Sequence, residues 1–183
     1  YRLTTFNVRK RIFDLGDIRL GTTLEETHDT MTAVVKQLLT DGKRVIVLGG
    51  GNDISYADGR AMAEVFGPDQ WIGVNIDAHL DVALSLERHS GTQYRQLLDE
   101  GHLKPRQFYE AGYQSHLTSP VYYEYIRSLG VHRISLELLR SRMPAALVPR
   151  LAVVSDLPTR TSGQVDRDAL PWPLPPSPQE DGA

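Results

Sequence analysis

Three side chains that can bind a metal stand at alternate positions after an apolar run. Trp71-Ile72-Gly73-Val74-Asn75-Ile76 leads into Asp77-Ala78-His79-Leu80-Asp81. Alternate residues of an extended chain point the same way, so Asp77, His79 and Asp81 share one side if the strand continues past Asp77. Two carboxylates and an imidazole suit a hard or borderline cation such as Mn2+, Mg2+ or Zn2+. The competing reading of the same residues is a polar loop that caps the following helix.

The elements around this segment must bring it to a sheet end. Arg44-Val45-Ile46-Val47-Leu48 reads as a short buried strand running into Gly49-Gly50-Gly51-Asn52-Asp53. The glycine loop lacks the Lys-Ser/Thr of a P-loop and the spacing of a dinucleotide site, so a tight turn needing positive φ accounts for it. Before it, Thr23-x-x-Glu26 reads as a capping box. Leu24, His28, Met31, Val34, Val35, Leu38 and Leu39 follow at helical spacing, and Asp41-Gly42 closes that helix. Further helices are predicted from Ser55 to Phe66, after Ser90-Gly91-Thr92 with Tyr94, Leu97 and Leu98 inward, and from Ser119-Pro120 to Gly130. Strands are predicted over 71–77 and at Gln107–Ala111. Alternating strands and helices imply an α/β fold with a mostly parallel sheet covered on both faces. Ligands of such sheets bind beyond the carboxyl ends of the strands, where the glycine loop and Asp77–Asp81 both fall.

The rest of the composition narrows the function. The 183 residues are 40% hydrophobic and 23% charged, with a net charge of −3 and no basic block, which gives no electrostatic case for nucleic acid. No apolar run approaches a membrane span. There is no cysteine, which removes disulfides, a thiol nucleophile and Cys-based zinc sites. A cytoplasmic protein is expected. From Met143 onward the chain holds 8 of its 11 prolines, including Pro171-Trp172-Pro173-Leu174-Pro175-Pro176-Ser177-Pro178. Residues 143–183 are therefore expected to be a divergent, disordered tail on a partial domain of residues 1–142, with Leu151–Asp156 as one candidate strand.

Taken together, Val45–Asp53, Asn75–Asp81 and His89-Ser90-Gly91-Thr92-Gln93-Tyr94-Arg95 resemble the ureohydrolase superfamily of arginases, agmatinases and formimidoylglutamases. The third element looks most like the S-G-T-P-F/Y-R stretch of formimidoylglutamases. The resemblance spans roughly Tyr1 to Arg142 and implies a three-layer αβα, arginase-like fold, here incomplete, with the chain cut short at both ends. It implies a pair of Mn2+ ions bridged by Asp77 and Asp81, with His79 on one of them, that activate water for attack on an amidine or guanidine carbon. Ser90 and Arg95 lie where the family contacts the amino-acid part of its substrate, and an Arg there suits a carboxylate. His89 is a candidate proton shuttle.

Two departures weaken the site. The family's glycine loop supplies a His ligand where this chain has Asn52, whose amide oxygen is a poorer ligand. The family's remaining ligands lie in an S-x-D-x-D pattern, matched only by fragments at Ser155-Asp156 and Asp166-Arg167-Asp168. One Mn2+ or none is expected to bind firmly. The sequence thus predicts a manganese-dependent hydrolase of linear amidines, most like formimidoylglutamase and histidine catabolism, incomplete or inactive as this chain, with a small-molecule substrate and homo-oligomers when full length. Arginase or agmatinase is the alternative, opposed by Tyr94 where arginases usually carry His. A catalytically dead binding or regulatory subunit is the other. His28 is expected in the core, and His102, His116 and His132 in structural or surface roles.

Overall fold

A computed structural model describes residues 12–142. The described residues through Leu139 belong to one compact unit; Arg140–Ala183 make a second, of which only residues 140–142 are described. The proline-rich tail and the candidate strand Leu151–Asp156 lie outside the described residues.

Helix α1 (Leu24–Thr40) begins as its sequence requires. Thr23 is the N-cap, and its hydroxyl accepts from the Glu26 N–H at 3.2 Å. Glu26 Oε2 reaches back one residue further than a strict capping box, to the Thr22 N–H at 2.6 Å. His28, Met31, Thr32 and Val35 form its buried stripe. The stripe packs on α2 (Ile54–Phe66) through Ala57 and Ala61, with Ile18, Leu39, Val45, Val47 and Ile54 at the margin.

Strand β1 (Gly73–Ile76) pairs in parallel with β2 (Phe108–Tyr113), which pairs in parallel with β3 (His132–Ser135). The order β1-β2-β3 makes β1 an edge strand among the described residues. Helices α3 (Gln93–Asp99) and α4 (Pro120–Leu129) are the crossovers, and α5 (Leu136–Arg142) follows β3. Pro120 at the first helical position and Gly130 in the left-handed C-cap fix the ends of α4. The parallel ladder and the helical crossovers are those of an α/β fold.

The main core joins α2, α3, β2 and α4 through Tyr56, Leu97, Leu103, Phe108, Ile126 and Val131. Burying each of these large apolar side chains contributes about 1.5–3 kcal/mol. Gly59 lets α2 approach α3, because a Cβ there would lie 2.6 Å from Leu97 Cδ1.

The segment 44–48 departs from the sequence expectation. It is not a strand: Val45 and Val47 turn toward α1, while Ile46 and Leu48 are 85% and 89% exposed. The alternation of an extended chain is present, but no neighbouring strand pairs with it among the described residues. Val74 and Ile76 of β1 are exposed as well, so one face of the sheet presents a run of aliphatic side chains to solvent.

Candidate metal and substrate site

Beyond the last β1 residue the pairing continues for two bonds, from Asp77 N–H to Ala111 O at 3.1 Å and from Gln114 N–H to Ala78 O at 3.0 Å. Then the chain turns. Asp77 Oδ1 accepts the His79 N–H at 2.8 Å and lies 3.2 Å from His79 Nδ1. Asp81 adopts φ +50°, the only non-glycine with positive φ among the described residues. The extended geometry that would align Asp77, His79 and Asp81 by period-two alternation is therefore lost between Ala78 and Asp81. The three groups stay within electrostatic reach of one another, but among the described residues no three His, Asp or Glu side chains form a ready-made metal-binding group.

Asp81 faces inward, toward the glycine loop. Its Oδ2 accepts from Asn52 Nδ2 at 2.6 Å and from Gln93 Nε2 at 2.9 Å. Burial pushes the Asp81 carboxyl above the usual carboxylate range; the Asn52 and Gln93 donors oppose that shift and the Asp77 charge adds to it. Asn52 is itself oriented by Ser55, whose hydroxyl donates to Asn52 Oδ1 at 3.1 Å. Asn52 thus stands beside Asp81, with its N–H rather than its oxygen toward the carboxylate. His79 is 58% exposed on the other side of the turn.

The glycine loop is shaped for these contacts. Gly49 and Gly50 have φ of +99° and +70°, which satisfies the tight-turn reading. A Cβ on Gly51 would collide with the Asp53 carboxylate and come 3.5 Å from Ser90 Cβ. Ser90 thus sits against this loop. Asp53 is anchored from behind by His28, with Nε2 to Oδ2 at 2.8 Å, and Arg88 Nη1 lies 3.4 Å from His28 Nδ1. The expectation of a core role for His28 holds: it is buried, with both ring nitrogens engaged.

A cavity of about 260 Å³ opens beside Asp81, with His79, His89, Leu117, Thr118 and Tyr122 among its walls. His89 Nδ1 accepts the Gly91 N–H at 3.1 Å, which puts the ring proton on Nε2 as a hydrogen-bond donor. Arg95 does not line the cavity. Its Nε pairs with Asp99 Oδ2 at 2.6 Å and its guanidinium lies 3.6 Å over the Tyr125 ring. Tyr94 is buried and its hydroxyl donates to Asn75 Oδ1 at 3.3 Å.

Several residues of this region escape a reading of the sequence. Leu117, Thr118 and Tyr122 follow the carboxyl end of β2, and the topology of parallel sheets is the signal that points to them. Gln93 and Glu110 carry no such signal. Glu110 is fully buried beside Asn75, whose Nδ2 donates to Glu110 Oε2 at 3.0 Å, while Oε1 has no partner. Burial raises its carboxyl to about 9, with the charges of Asp81 and Asp77 adding to the effect.

The donor set suits a divalent cation in residue type, though not in arrangement among the described residues. Asp77, His79 and Asp81 offer two carboxylates and an imidazole, and the desolvated Asp81 carboxylate meets only neutral N–H donors. It falls short of a pair, because one oxygen of Asp81 is committed to hydrogen bonds and Asn52 presents a donor.

The model of the family described as "Arginase family" matches residues 2–166, beyond the Arg142 limit of the quoted motifs. Formimidoylglutamase of Klebsiella pneumoniae (strain 342) is 31% identical over 164 residues, which cover 86% of this chain and 46% of that protein. Formimidoylglutamase of Photorhabdus laumondii subsp. laumondii is 37% identical over 91 residues, covering 49% of this chain and 28% of its own. Among solved structures, Trypanosoma cruzi formiminoglutamase with Mn2+ matches with a TM-score of 0.66 and 38% identity, covering 70% of this chain and 44% of that one. Formimidoylglutamase from Bacillus subtilis matches with a TM-score of 0.69 and 28% identity, covering 74% and 43%. The chain spans about half the length, or less, of these relatives. With a family match over most of its residues and a shared fold, the chain belongs to the Arginase family.

Proposed function

We propose that this chain supplies one metal-binding strand end and part of the substrate cleft of a manganese-dependent hydrolase of linear amidines, most like formimidoylglutamase. The observation that carries this reading is the placement of Asp77–Asp81 at the carboxyl end of β1, beside a cavity lined by His79, Asp81 and His89. The likeness to proteins named formimidoylglutamase supports the substrate class.

In this reading Asp77, His79 and Asp81 hold the cation. Bound Mn2+ lowers the pKa of water and polarises the group under attack. His89 is the candidate proton shuttle, once its Nδ1 is freed from the Gly91 N–H. His89 and Gly91 line one side of the cleft and Leu117, Thr118 and Tyr122 the other, while Ser90, the candidate substrate contact, is set against the glycine loop. Arg95 can meet a substrate carboxylate only by leaving Asp99. A substrate of this kind is N-formimidoyl-L-glutamate, cleaved to L-glutamate and formamide; a guanidine, as in arginase or agmatinase, is the alternative.

A second reading has its own support. Asn52 turns an N–H toward Asp81, as a binding subunit without catalysis would tolerate.

Calorimetric titration with Mn2+ tests the proposal. The chain should bind Mn2+, and Asp77→Asn or His79→Ala should weaken binding at least tenfold. No Mn2+ binding at millimolar metal would remove the proposal. The chain alone should release neither formamide from N-formimidoyl-L-glutamate nor urea from arginine or agmatine. Mn2+-dependent release of either would mean that its own residues suffice for catalysis.

A further inference from the structure

Strands β1, β2 and β3 carry α3 and α4 on the same face. Tyr94 of α3 packs on Phe108, ring centroids 4.8 Å apart, and donates to Asn75, while Arg133 of β3 lies 5.4 Å from the Tyr123 ring of α4. Both crossovers thus cover the side of Gly73, Asn75, Phe108, Glu110 and Arg133. Right-handed connections along the order β1-β2-β3 produce this one-sided arrangement. A parallel sheet is ordinarily covered on both faces.

The opposite face is exposed, most of all at β1. The strand register builds two rows across it, Val74–Tyr109–His132 and Ile76–Ala111–Ile134. Ile72 points to the same side by alternation, and Ile72, Val74 and Ile76 are 62%, 57% and 79% exposed. Tyr109 and His132 stack flat, with centroids 4.2 Å apart, and Arg106 O lies 3.0 Å from His132 Nε2 and holds the ring down. No Asp, Glu, Lys or Arg stands in either row. Ile46 and Leu48 also point away from α1 and α2, because Val45 and Val47 of the same extended segment pack toward those helices.

We propose that this face docks a second copy of the chain, two molecules packing sheet on sheet about a two-fold axis. In such a contact the same patch meets itself, so like charges would face each other. The rows are aliphatic and aromatic, and that repulsion does not arise. The geometry is also suitable: two sheets pack about 10 Å apart with flat files of aliphatic side chains between them. The exposed apolar area is on the order of 500 Å² per copy, about 1,000 Å² for the pair, the lower bound of a specific interface. A weak, reversible dimer follows, with Kd in the range of roughly 10–100 μM. The pairing is independent of the metal and substrate reading, and either can fail without the other.

Sedimentation of the whole chain from about 5 μM to about 500 μM tests this. The mass should rise from one chain towards two and stop there. Methyl signals of Val74, Ile76 and Ile134 should shift with concentration, while those of Val121, 72% exposed on α4, should not. Ile76→Lys sets like charges across the two-fold axis and should weaken pairing at least about tenfold. Val74→Thr keeps the β-branch and should weaken it less. Val121→Lys should pair as wild type does. Melts at about 5 μM, below the expected Kd, identify which variants are folded. A chain that stays monomeric at the highest concentration would overturn the proposal, as would assembly beyond two copies. Undiminished pairing of folded Ile76→Lys and Val74→Thr would overturn it too. Slowed exchange of the β1 amides without methyl shifts would move the contact to the strand edge and overturn the face.

Discussion

Arg95 and Asp99 meet across one turn of α3, Nε to Oδ2 at 2.6 Å, and Tyr125 completes the group by stacking under Arg95 and donating its hydroxyl to Asp99 Oδ1 at 2.7 Å. The arrangement ties α3 to α4. Arg95→Ala should therefore act on stability. The exposed ion pair contributes a few tenths of a kcal/mol after solvent screening, and the stacking about 0.5–1 kcal/mol. Urea denaturation should place the variant about 1 kcal/mol below wild type. An unchanged midpoint would mean that the group is not formed in solution.

Glu110 gives the chain a pH-dependent stability. The folded state keeps its proton from the ordinary value of 4.5 up to about 9, whereas the unfolded chain loses it near the lower end. The folded state then binds more protons, so stability falls as pH rises through that window. The loss is on the order of 3 kcal/mol at pH 7 relative to acid conditions. Glu110→Gln should flatten the decline and melt higher than wild type at pH 8. Parallel melting curves for the two proteins from pH 5 to pH 8 would contradict the buried neutral acid.

Asn52→His should raise Mn2+ affinity. It places an imidazole, a stronger ligand than an amide oxygen, beside Asp81. It also releases one of the two N–H groups on Asp81 Oδ2. A gain of at least tenfold by calorimetry is expected, and equal or weaker binding would count against the position as a ligand site.

The aliphatic face of β1 should govern how the chain behaves at high concentration. Val74 and Ile76, with Ile46 and Leu48, expose apolar surface beside a strand edge that is unpaired among the described residues. The double change Leu48→Thr with Ile76→Thr should reduce light scattering and dye binding while leaving the melting temperature within a degree or two. Scattering equal to wild type would place the self-association elsewhere.

Much of this was legible from residue types. Thr23 and Glu26 start α1, Ser119-Pro120 and Gly130 bound α4, and the spacing of Tyr94, Leu97 and Leu98 marks the buried side of α3, because caps and helical stripes are local in sequence. The β-branched run at 44–48 has the same strand signature as 73–76. What separates them is a hydrogen-bonding neighbour, which no local pattern records: β1 has β2, and 44–48 has none among the described residues. At the site, Asp77, His79 and Asp81 stood out by type and spacing. Their geometry did not, since an Asx-type turn at Asp77 and a left-handed Asp81 replace the extended chain. Gln93 and Glu110 matter through burial, and burial belongs to the folded whole.

The left-handed backbone at Asp81 also bears on how this sequence can drift. Aspartate, asparagine and glycine tolerate such a conformation, and most other side chains do not. A lineage that ceased to use a metal would still be confined to those three at 81 for steric reasons. Asp77 is restricted differently: its side chain accepts the His79 N–H, a turn that asparagine, serine or threonine also supports. Across a set of descendants, drift from aspartate to those neutral residues at 77 would therefore report loss of selection for the charge with the turn kept, while an aspartate at 81 reports the turn as much as the charge.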